Sequence, residues 1–325
     1  MHYISDHSPF YKILLFSAAL IWGSSFFMVK TATDVIPVNW LLAIRFLTAA
    51  VILAVVFRRS LLENLNWPCV LRGCLIGALL FAGYLLQTIG ITYTTPGKNA
   101  FITAGYCVLV PFLYWAVARV KPDVYNVTAA LLLVAGIGFL SLSDGFSVNL
   151  GDLLTMVCAV FYALQIVAVA RFSRQHNVFA LTVWQFVAAG ALALVAALLF
   201  EPFPEVGIWT PSLVAQVAYL AIACSAVALL FQNVGQAHVH PATASVLLSL
   251  ESVFGVVFSV IFYGEQMSVK LVVGFILIFV AIVVSETKLS FVPALHHGPS
   301  STSGGQADNG LEARTLDDSP REGGF

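Results

Sequence analysis

The sequence predicts an all-α integral membrane protein, with ten transmembrane helices arranged as two inverted five-helix repeats around a central cavity. Three observations lead to this fold class. Hydrophobic residues make up 60% of the 325 residues and charged residues only 10%, whereas a soluble domain carries about 25% charged residues. Apolar runs long enough to cross a bilayer recur along the whole chain. Polar residues recur at matching positions in the two halves.

The apolar runs define the predicted helices. A run of about 20 apolar residues crosses the roughly 30 Å hydrocarbon layer as a helix. Ten such runs are present, at 10–32, 38–57, 71–92, 97–118, 125–143, 151–170, 179–200, 213–235, 241–263 and 269–287. The connections between them are short, so we expect neighbouring helices to be antiparallel.

The basic residues predict the orientation, because cytoplasmic loops of membrane proteins hold an excess of Lys and Arg. The connections after the second, fourth and sixth runs are basic, with Arg58, Arg59, Arg72, Arg119, Lys121, Arg171 and Arg174. We therefore expect a multi-pass protein of the cell inner membrane (plasma membrane) with both termini in the cytoplasm. Residues 1–9 form the cytoplasmic N-terminus in this interpretation. Residues 288–325 are rich in Ser, Gly and Asp, which predicts a disordered cytoplasmic tail.

An internal repeat links the two halves of the chain. A shift of 145 residues places YLLQTIGITYTTPG over LLFQNVGQAHVHPA, and a shift of 140 places LLAIRFLTAA over LTVWQFVAAG. The sequence therefore predicts two five-helix domains, residues 10–143 and residues 151–287. Because five is an odd number of crossings, the second domain enters the membrane from the opposite side. Inverted repeats of this kind are a recurring construction of secondary transporters.

Three charged residues fall inside the apolar runs, where a charge is costly and usually faces a cavity or a partner. Arg45 lies well inside the second run; it either binds an anionic group in a cavity or forms a structural contact. Glu251, near the middle of the ninth run, is a proton-coupling group, a substrate contact or a neutral acid bonded between helices. Lys30 is either a further substrate-path residue or, because it is close to the end of the first run, a residue whose long stem reaches the interface.

Aromatic and uncharged polar residues complete the predicted substrate path. They are Trp22, Tyr84, Gln87, Tyr106, Tyr162, Gln165, Gln232 and Asn233. Each either contacts substrate or bonds to a neighbouring helix, as most polar groups in membrane bundles do. Tyr84 and Gln87 are three residues apart and so share one helix face.

Four stretches together resemble the EamA-type family of the drug/metabolite transporter superfamily: IWGSSFFMVK, AIRFLTAA, TTPGKNAFITAGYCVLVPF and ATASVLLSLESVFGVVFSVIFYGEQMS. The resemblance covers residues 10–287. It implies a ten-helix inverted-repeat carrier that moves amino acids, metabolites or toxic organic compounds, often outward. The family commonly has proline after the Glu of the ninth helix and after the matching Tyr of the fourth, where this chain has Ser252 and Cys107.

The predicted function is that of a secondary transporter that exports small metabolites, amino-acid-like or amphipathic, by alternating access. Its expected partners are the small-molecule substrate, the lipid bilayer and, as an open possibility, protons. The chain lacks a phosphate-binding loop for ATP and a basic surface for nucleic acid. It has no HExxH motif and no pair of aspartates in the apolar runs, so we expect no enzyme activity, cofactor or metal. The alternative function is a non-transporting membrane receptor or scaffold.

Overall fold

The computed structural model describes residues 9–119, 121–141, 149–239 and 241–288. Across these ranges the backbone is helical, with short connections and no β-strand. The predicted N-terminal segment 1–9 and the predicted tail fall, except for Pro9 and Lys288, outside the described residues.

The helices follow one another in a simple order. They are α1 (Pro9–Thr33), α2 (Val38–Val56), α3 (Arg58–Glu63), α4 (Trp67–Tyr93), α5 (Pro96–Ala104), α6 (Tyr106–Ala118), α7 (Val124–Ser141), α8 (Leu150–Phe172), α9 (Val178–Phe200), α10 (Pro211–Tyr219), α11 (Ala228–His238), α12 (Pro241–Phe258) and α13 (Val269–Thr287). A 3₁₀ turn covers Val206–Ile208, and π-helical segments cover Leu220–Val227 and Ser259–Tyr263.

Eight continuous helical stretches are long and apolar enough to cross a membrane. They are Pro9–Thr33, Val38–Val56, Trp67–Tyr93, Pro96–Ala116, Leu150–Phe172, Val178–Phe200, Pro211–Gln236 and Val269–Thr287. Two further apolar stretches, Val124–Leu140 and Leu247–Tyr263, coincide with the fifth and ninth predicted spans. The helical backbone at these spans covers Val124–Ser141, and Pro241–Phe258 followed by Ser259–Tyr263. The chain is therefore a multi-pass membrane protein, and the described residues contain a helix at each of the ten predicted positions.

Several helices depart from the continuous α-helices that the sequence predicts. The fourth predicted span is divided at Gly105 into α5 and α6, whereas Pro111 lies inside the uninterrupted α6. A side chain at Gly105 would crowd the Ile102 carbonyl oxygen and Leu133. The connection between the second and third spans contains the short helix α3, which the apolar pattern does not indicate.

The bundle is held together by contacts between the first half of the chain and the second. Helix α4 packs along α8 and α9, α1 along α11 and α12, α2 along α9, and α7 along α13. Glycine allows the closest of these approaches: a Cβ at Gly151 on α8 would lie 2.5 Å from the carbonyl oxygen of Gly90 on α4. Such small-residue contacts are typical of membrane helix packing.

Candidate functional site

A cavity lies among the helices and holds about 630 Å³ of empty space, including the part that opens to solvent. Helices from both halves contribute to its wall: α1, α2, α4, α5, α6, α8, α11 and α12. Its polar and aromatic lining residues are Trp22, Ser25, Phe26, Arg45, Tyr84, Gln87, Asn99, Thr103, Tyr106, Tyr162, Gln165, Gln232 and Glu251. Aliphatic side chains complete the wall: Val29, Leu80, Ile91, Ile166 and Leu229. The wall is therefore amphipathic.

Nine of the eleven residues that the sequence places on a substrate path line this cavity together. They are Trp22, Arg45, Tyr84, Gln87, Tyr106, Tyr162, Gln165, Gln232 and Glu251. Their side chains come from seven helices, so the folding of the bundle, and not sequence proximity, brings them together.

The other two predicted residues, Lys30 and Asn233, lie outside the cavity wall. The Lys30 ammonium donates hydrogen bonds of 2.9 Å to the carbonyl oxygens of Ile91 and Thr92. These carbonyls belong to the last turn of α4, where a cation is favourable because of the helix dipole. The Asn233 amide donates to the Thr182 hydroxyl at 2.8 Å and so links α11 to α9.

Arg45 is a buried cation, with 1% of its surface exposed. Its Nε donates to the Ser225 hydroxyl at 3.3 Å, and its guanidinium lies 5.1 Å from the centre of the Tyr84 ring. Among the described residues, no carboxylate forms an ion pair with Arg45. A buried guanidinium without an acidic partner is well suited to bind an anionic group that enters the cavity.

Glu251 is the acidic group of the same cavity and is 4% exposed. Tyr106 lines the cavity with it, and its Oε1 has no hydrogen-bond partner among the described residues. Because a buried polar atom without a partner is costly, this oxygen is available to a ligand or a proton.

A network around Gln87 fixes the wall between these charges. The Tyr162 hydroxyl donates to Gln87 Oε1 at 2.9 Å, and Gln87 Nε2 donates to the Thr103 hydroxyl at 3.1 Å. The rings of Tyr84 and Tyr162 meet edge to face, 5.4 Å apart. Both functions of the Gln87 amide are used, so its orientation is determined by protein contacts.

The π-helical segment Leu220–Val227 supplies two further contacts to the wall. The Trp22 indole N–H donates to the backbone carbonyl of Cys224 at 2.8 Å, and Ser225, the partner of Arg45, donates its hydroxyl to the Leu220 carbonyl at 2.9 Å. A π-helix changes which carbonyl oxygens accept hydrogen bonds within the helix. In this segment the Cys224 carbonyl oxygen accepts from Trp22.

Three polar lining residues, Ser25, Asn99 and Thr103, are missing from the sequence prediction. Asn99 is completely buried: its amide donates to the Thr155 hydroxyl at 2.8 Å, and its Oδ1 has no partner among the described residues. The internal repeat contains a signal for Ser25, because the 140-residue shift places it on Gln165. Small polar residues such as Thr103 are too common in membrane helices to be distinguished by type.

The wall is built from corresponding positions of the two halves. The 140- and 145-residue shifts pair the lining residues Trp22/Tyr162, Ser25/Gln165, Phe26/Ile166, Tyr84/Leu229, Gln87/Gln232 and Tyr106/Glu251. Arg45 corresponds to Gln185, which is equally buried but does not line the cavity.

A multi-pass helical bundle whose two halves enclose a partly polar cavity belongs to the class of membrane transport proteins. Comparison with known families gives the same result. Residues 10–142 and residues 149–287 each match the EamA-like transporter family. The chain belongs to this family, which is part of the drug/metabolite transporter superfamily.

The names of its relatives are equally general. The chain is 33% identical over 271 residues to an uncharacterized transporter of Archaeoglobus fulgidus. The aligned region covers 83% of this chain and 84% of that protein. It is 26% identical to the uncharacterized transporter YvbV of Bacillus subtilis, over 85% of this chain and 91% of the relative. A solved crystal structure shares the fold, with a TM-score of 0.65 and 19% identity over 87% of this chain and 99% of that chain.

Proposed function

We propose that the protein is a secondary transporter that exports small organic compounds bearing a carboxylate, amino-acid-like or amphipathic, by alternating access. The observation that carries this proposal is the presence of a buried cation and a buried carboxyl group, without an ion-pair partner in the described structure, in one amphipathic cavity. Charges are retained inside a membrane bundle mainly where they serve a ligand, an ion or a partner.

The proposed architecture is ten spans in two inverted repeats. Its support is the correspondence of lining residues between the halves together with the odd number of helices in each. The packing also agrees with a twofold relation, because α4 on α8 corresponds to α11 on α1, and α1 on α12 corresponds to α8 on α5 and α6. Such a relation gives alternating access a physical basis, since exchanging two similar packings opens the cavity to opposite sides.

The proposed substrate contacts follow from the chemistry of the wall. Arg45 would hold the carboxylate through its planar fork of N–H donors, with Tyr84 fixing the guanidinium plane. Glu251 would accept an ammonium group of the substrate or carry the coupled proton. Trp22, Tyr162 and Leu229 would contact the apolar part.

The proposed setting is the cell inner membrane, with both termini cytoplasmic and no role for ATP, a metal or nucleic acid. Its support is the basic side of the bundle. Arg72 contacts His176, and Lys288 forms an ion pair with Asp123; these pairs join helix ends that share one side in the predicted topology. An excess of basic residues marks a cytoplasmic side.

The test is counterflow into liposomes that contain the purified protein. Vesicles are loaded with one unlabelled amino acid and mixed with labelled compounds: the same amino acid, its decarboxylated amine and its amide. We expect accumulation of the compound that carries the carboxylate, and loss of that accumulation in Arg45→Gln. A repetition with an imposed pH gradient tests proton coupling. If a broad panel of carboxylates and amines enters no faster than into protein-free vesicles, the receptor or scaffold alternative is favoured instead.

A further inference from the structure

Two buried carboxylates of the second half hold one short segment of the first half. The segment Thr94–Lys98 joins the end of α4 to the start of α5. Asp152, in the first turn of α8, is completely buried, and Glu265, after the π-helical end of α12, is 7% exposed. Both carboxylates contact this segment and therefore connect the two halves at the same end of the bundle.

Glu265 binds the beginning of α5. The backbone N–H of Gly97 donates to its Oε2 at 2.9 Å, and the Thr95 and Ser259 hydroxyls donate to its two carboxylate oxygens. A carboxylate at a helix N-terminus is favourable because it accepts from free N–H groups. Glycine is needed here, because a Cβ at position 97 would lie 2.6 Å from Glu265 Oε2.

Asp152 contacts the first and the last residue of the segment. The Thr94 hydroxyl donates to its Oδ1 at 2.5 Å, and the Lys98 ammonium lies 3.7 Å from its Oδ2. The two carboxylates thus hold the segment from two different helices of the second half.

The held segment does not itself line the cavity but joins two parts of the chain that do. Two lining residues flank it in the chain, Ile91 before it and Asn99 after it. Moving the segment away from α8 and α12 would therefore displace the wall of the cavity at this end.

The opposite end of the bundle lacks these carboxylates in sequence. The 140-residue shift places Lys12 at the position of Asp152, and the 145-residue shift places Val120 at the position of Glu265. Neither residue has a carboxylate, so the sequence of the first half does not repeat the acidic residues found at positions 152 and 265.

We propose that Asp152 and Glu265 form a latch that keeps the cavity closed at the Thr94–Lys98 end, the external end in the proposed orientation. The latch biases the resting protein towards the state that opens to the opposite, cytoplasmic side. This inference rests on the proposed alternating access, in which the external end must open in each cycle. Substrate release to the outside then requires the carboxylate contacts to break.

The test measures the accessibility of the cavity from each side of the membrane. A reporter variant, Val29→Cys, places a thiol in the cavity wall. It is combined with Glu265→Gln, Asp152→Asn or Gly97→Ala and reacted with a membrane-impermeant maleimide in right-side-out and inverted vesicles. Each variant is also measured without the reporter, so that labelling of the native cysteines is subtracted.

We expect each latch variant to raise labelling from the external face about tenfold, since losing a hydrogen bond to a charged group shifts a two-state equilibrium by about that factor. The matched control is Glu201→Gln. Glu201 also accepts from a helix N-terminus, the backbone N–H groups of Asn39 and Trp40, but does not touch the held segment. Its variant should keep the parent labelling rate.

Unchanged external labelling in the folded latch variants would overturn the proposal, as would an equal increase from both faces. Gly97→Ala keeps the proposal testable if removal of a buried carboxylate prevents folding, because it only displaces the Glu265 carboxylate. Counterflow by the parent protein reports separately on the proposed function. If the parent protein shows no counterflow, the proposed transport function is refuted. The labelling rates still show whether Asp152 and Glu265 keep the cavity closed at the Thr94–Lys98 end.

Discussion

The two halves of the bundle place different side chains at corresponding positions of one cavity. Gln87 in the first half and Gln232 in the second both line the wall, yet Tyr106 corresponds to Glu251, and Arg45 to Gln185. The first half therefore supplies the cation and the second half the carboxyl group. A repeated scaffold determines where side chains meet, whereas the differences between its copies determine the chemistry of the site.

The pair Arg45 and Gln185 shows this most directly. Both side chains are 1% exposed, and the following residues, Phe46 and Phe186, pack with ring centroids 5.9 Å apart. Arg45 has Ser225 and Tyr84 as partners, whereas Gln185 Nε2 has none within the described part of the chain. The same backbone environment thus holds a cation near the cavity in one half and an unsatisfied amide in the other.

The largest effect is expected from making these two positions alike. Arg45→Gln should lower the transport of carboxylate-bearing compounds at least about tenfold, because it removes a charge-assisted contact with the substrate. Arg45→Lys should restore it only in part, since lysine lacks the planar fork. Gln185→Leu is the control and should leave transport intact. Normal counterflow by a folded Arg45→Gln protein would make Arg45 a structural residue.

The next effect concerns the second unlike pair, Tyr106 and Glu251. If Glu251 carries the coupled proton, Glu251→Gln should abolish the dependence of uptake on a pH gradient and retain substrate exchange. The measurement compares gradient-driven uptake with counterflow in the same vesicles. Tyr106→Phe removes the hydroxyl at the corresponding position of the first half but keeps the carboxyl group, so it should retain the gradient dependence. Gradient-driven uptake that survives in Glu251→Gln would exclude this coupling role.

A smaller effect, on stability, should separate two corresponding glycines. A Cβ at Gly90 would lie 2.8 Å from the Thr155 hydroxyl and 2.9 Å from the Gly151 carbonyl oxygen, whereas a Cβ at Gly235 would meet the Leu15 side chain at 2.6 Å. Backbone cannot move aside as a leucine side chain can. Gly90→Ala should cost about 2–3 kcal/mol and Gly235→Ala about 1 kcal/mol, measured as melting in detergent. Equal losses of stability would show that the two helix contacts accommodate an added methyl group equally well.

The smallest effect is expected at two corresponding helix caps. Asp123 accepts from the Asn126 N–H and Ser268 from the Leu271 N–H, but Asp123 also pairs with Lys288 at 2.6 Å. Asp123→Ser therefore keeps the cap and removes the ion pair. Because the pair is largely exposed, the loss at neutral pH should stay below about 1 kcal/mol.

The pH dependence of this ion pair has a definite sign. Burial alone would raise the pKa of Asp123, but hydrogen bonds from Lys288 and from the Asn126 and Tyr125 N–H groups lower it below its usual value. The stabilisation is therefore present above about pH 4 and is lost as the pH falls through the lowered pKa. Melting curves of Asp123→Ser and the parent should converge at low pH; a constant difference would contradict the assignment.

Much of the fold follows from apolar length alone, because a membrane requires continuous helices. All ten predicted runs coincide with helical stretches. The pattern could not reveal the division at Gly105 or the π-helical segments, because these depend on packing and on backbone bonding that hydropathy does not record. The ninth predicted run, 241–263, agrees with the helical residues at both ends, and the fifth agrees as far as Ser141, after which 142–148 lie outside the described residues.

The candidate site was predictable where a residue type is rare in hydrocarbon, as for Arg45 and Glu251. Lysine is also rare there, yet Lys30 does not line the cavity, because its long stem reaches carbonyl oxygens of α4. The position of the neighbouring helix determines this contact. Asn99 comes shortly after a turn in the sequence, so its polarity is what one expects at the end of a membrane span. Its position in the wall depends on the contact with Thr155 across the bundle.

The π-helical segment Leu220–Val227 has a consequence for how the chain can change in length. A π-helical turn accommodates an extra residue, and one residue more or less in an α-helix rotates everything beyond it by about 100°. Leu229 and Gln232 lie beyond the segment and face the cavity in the register that it sets. Deleting one residue within the segment would restore an α-helical turn and leave that register unchanged. The segment thus allows a membrane helix to gain or lose a residue in evolution without turning its cavity-facing side towards lipid.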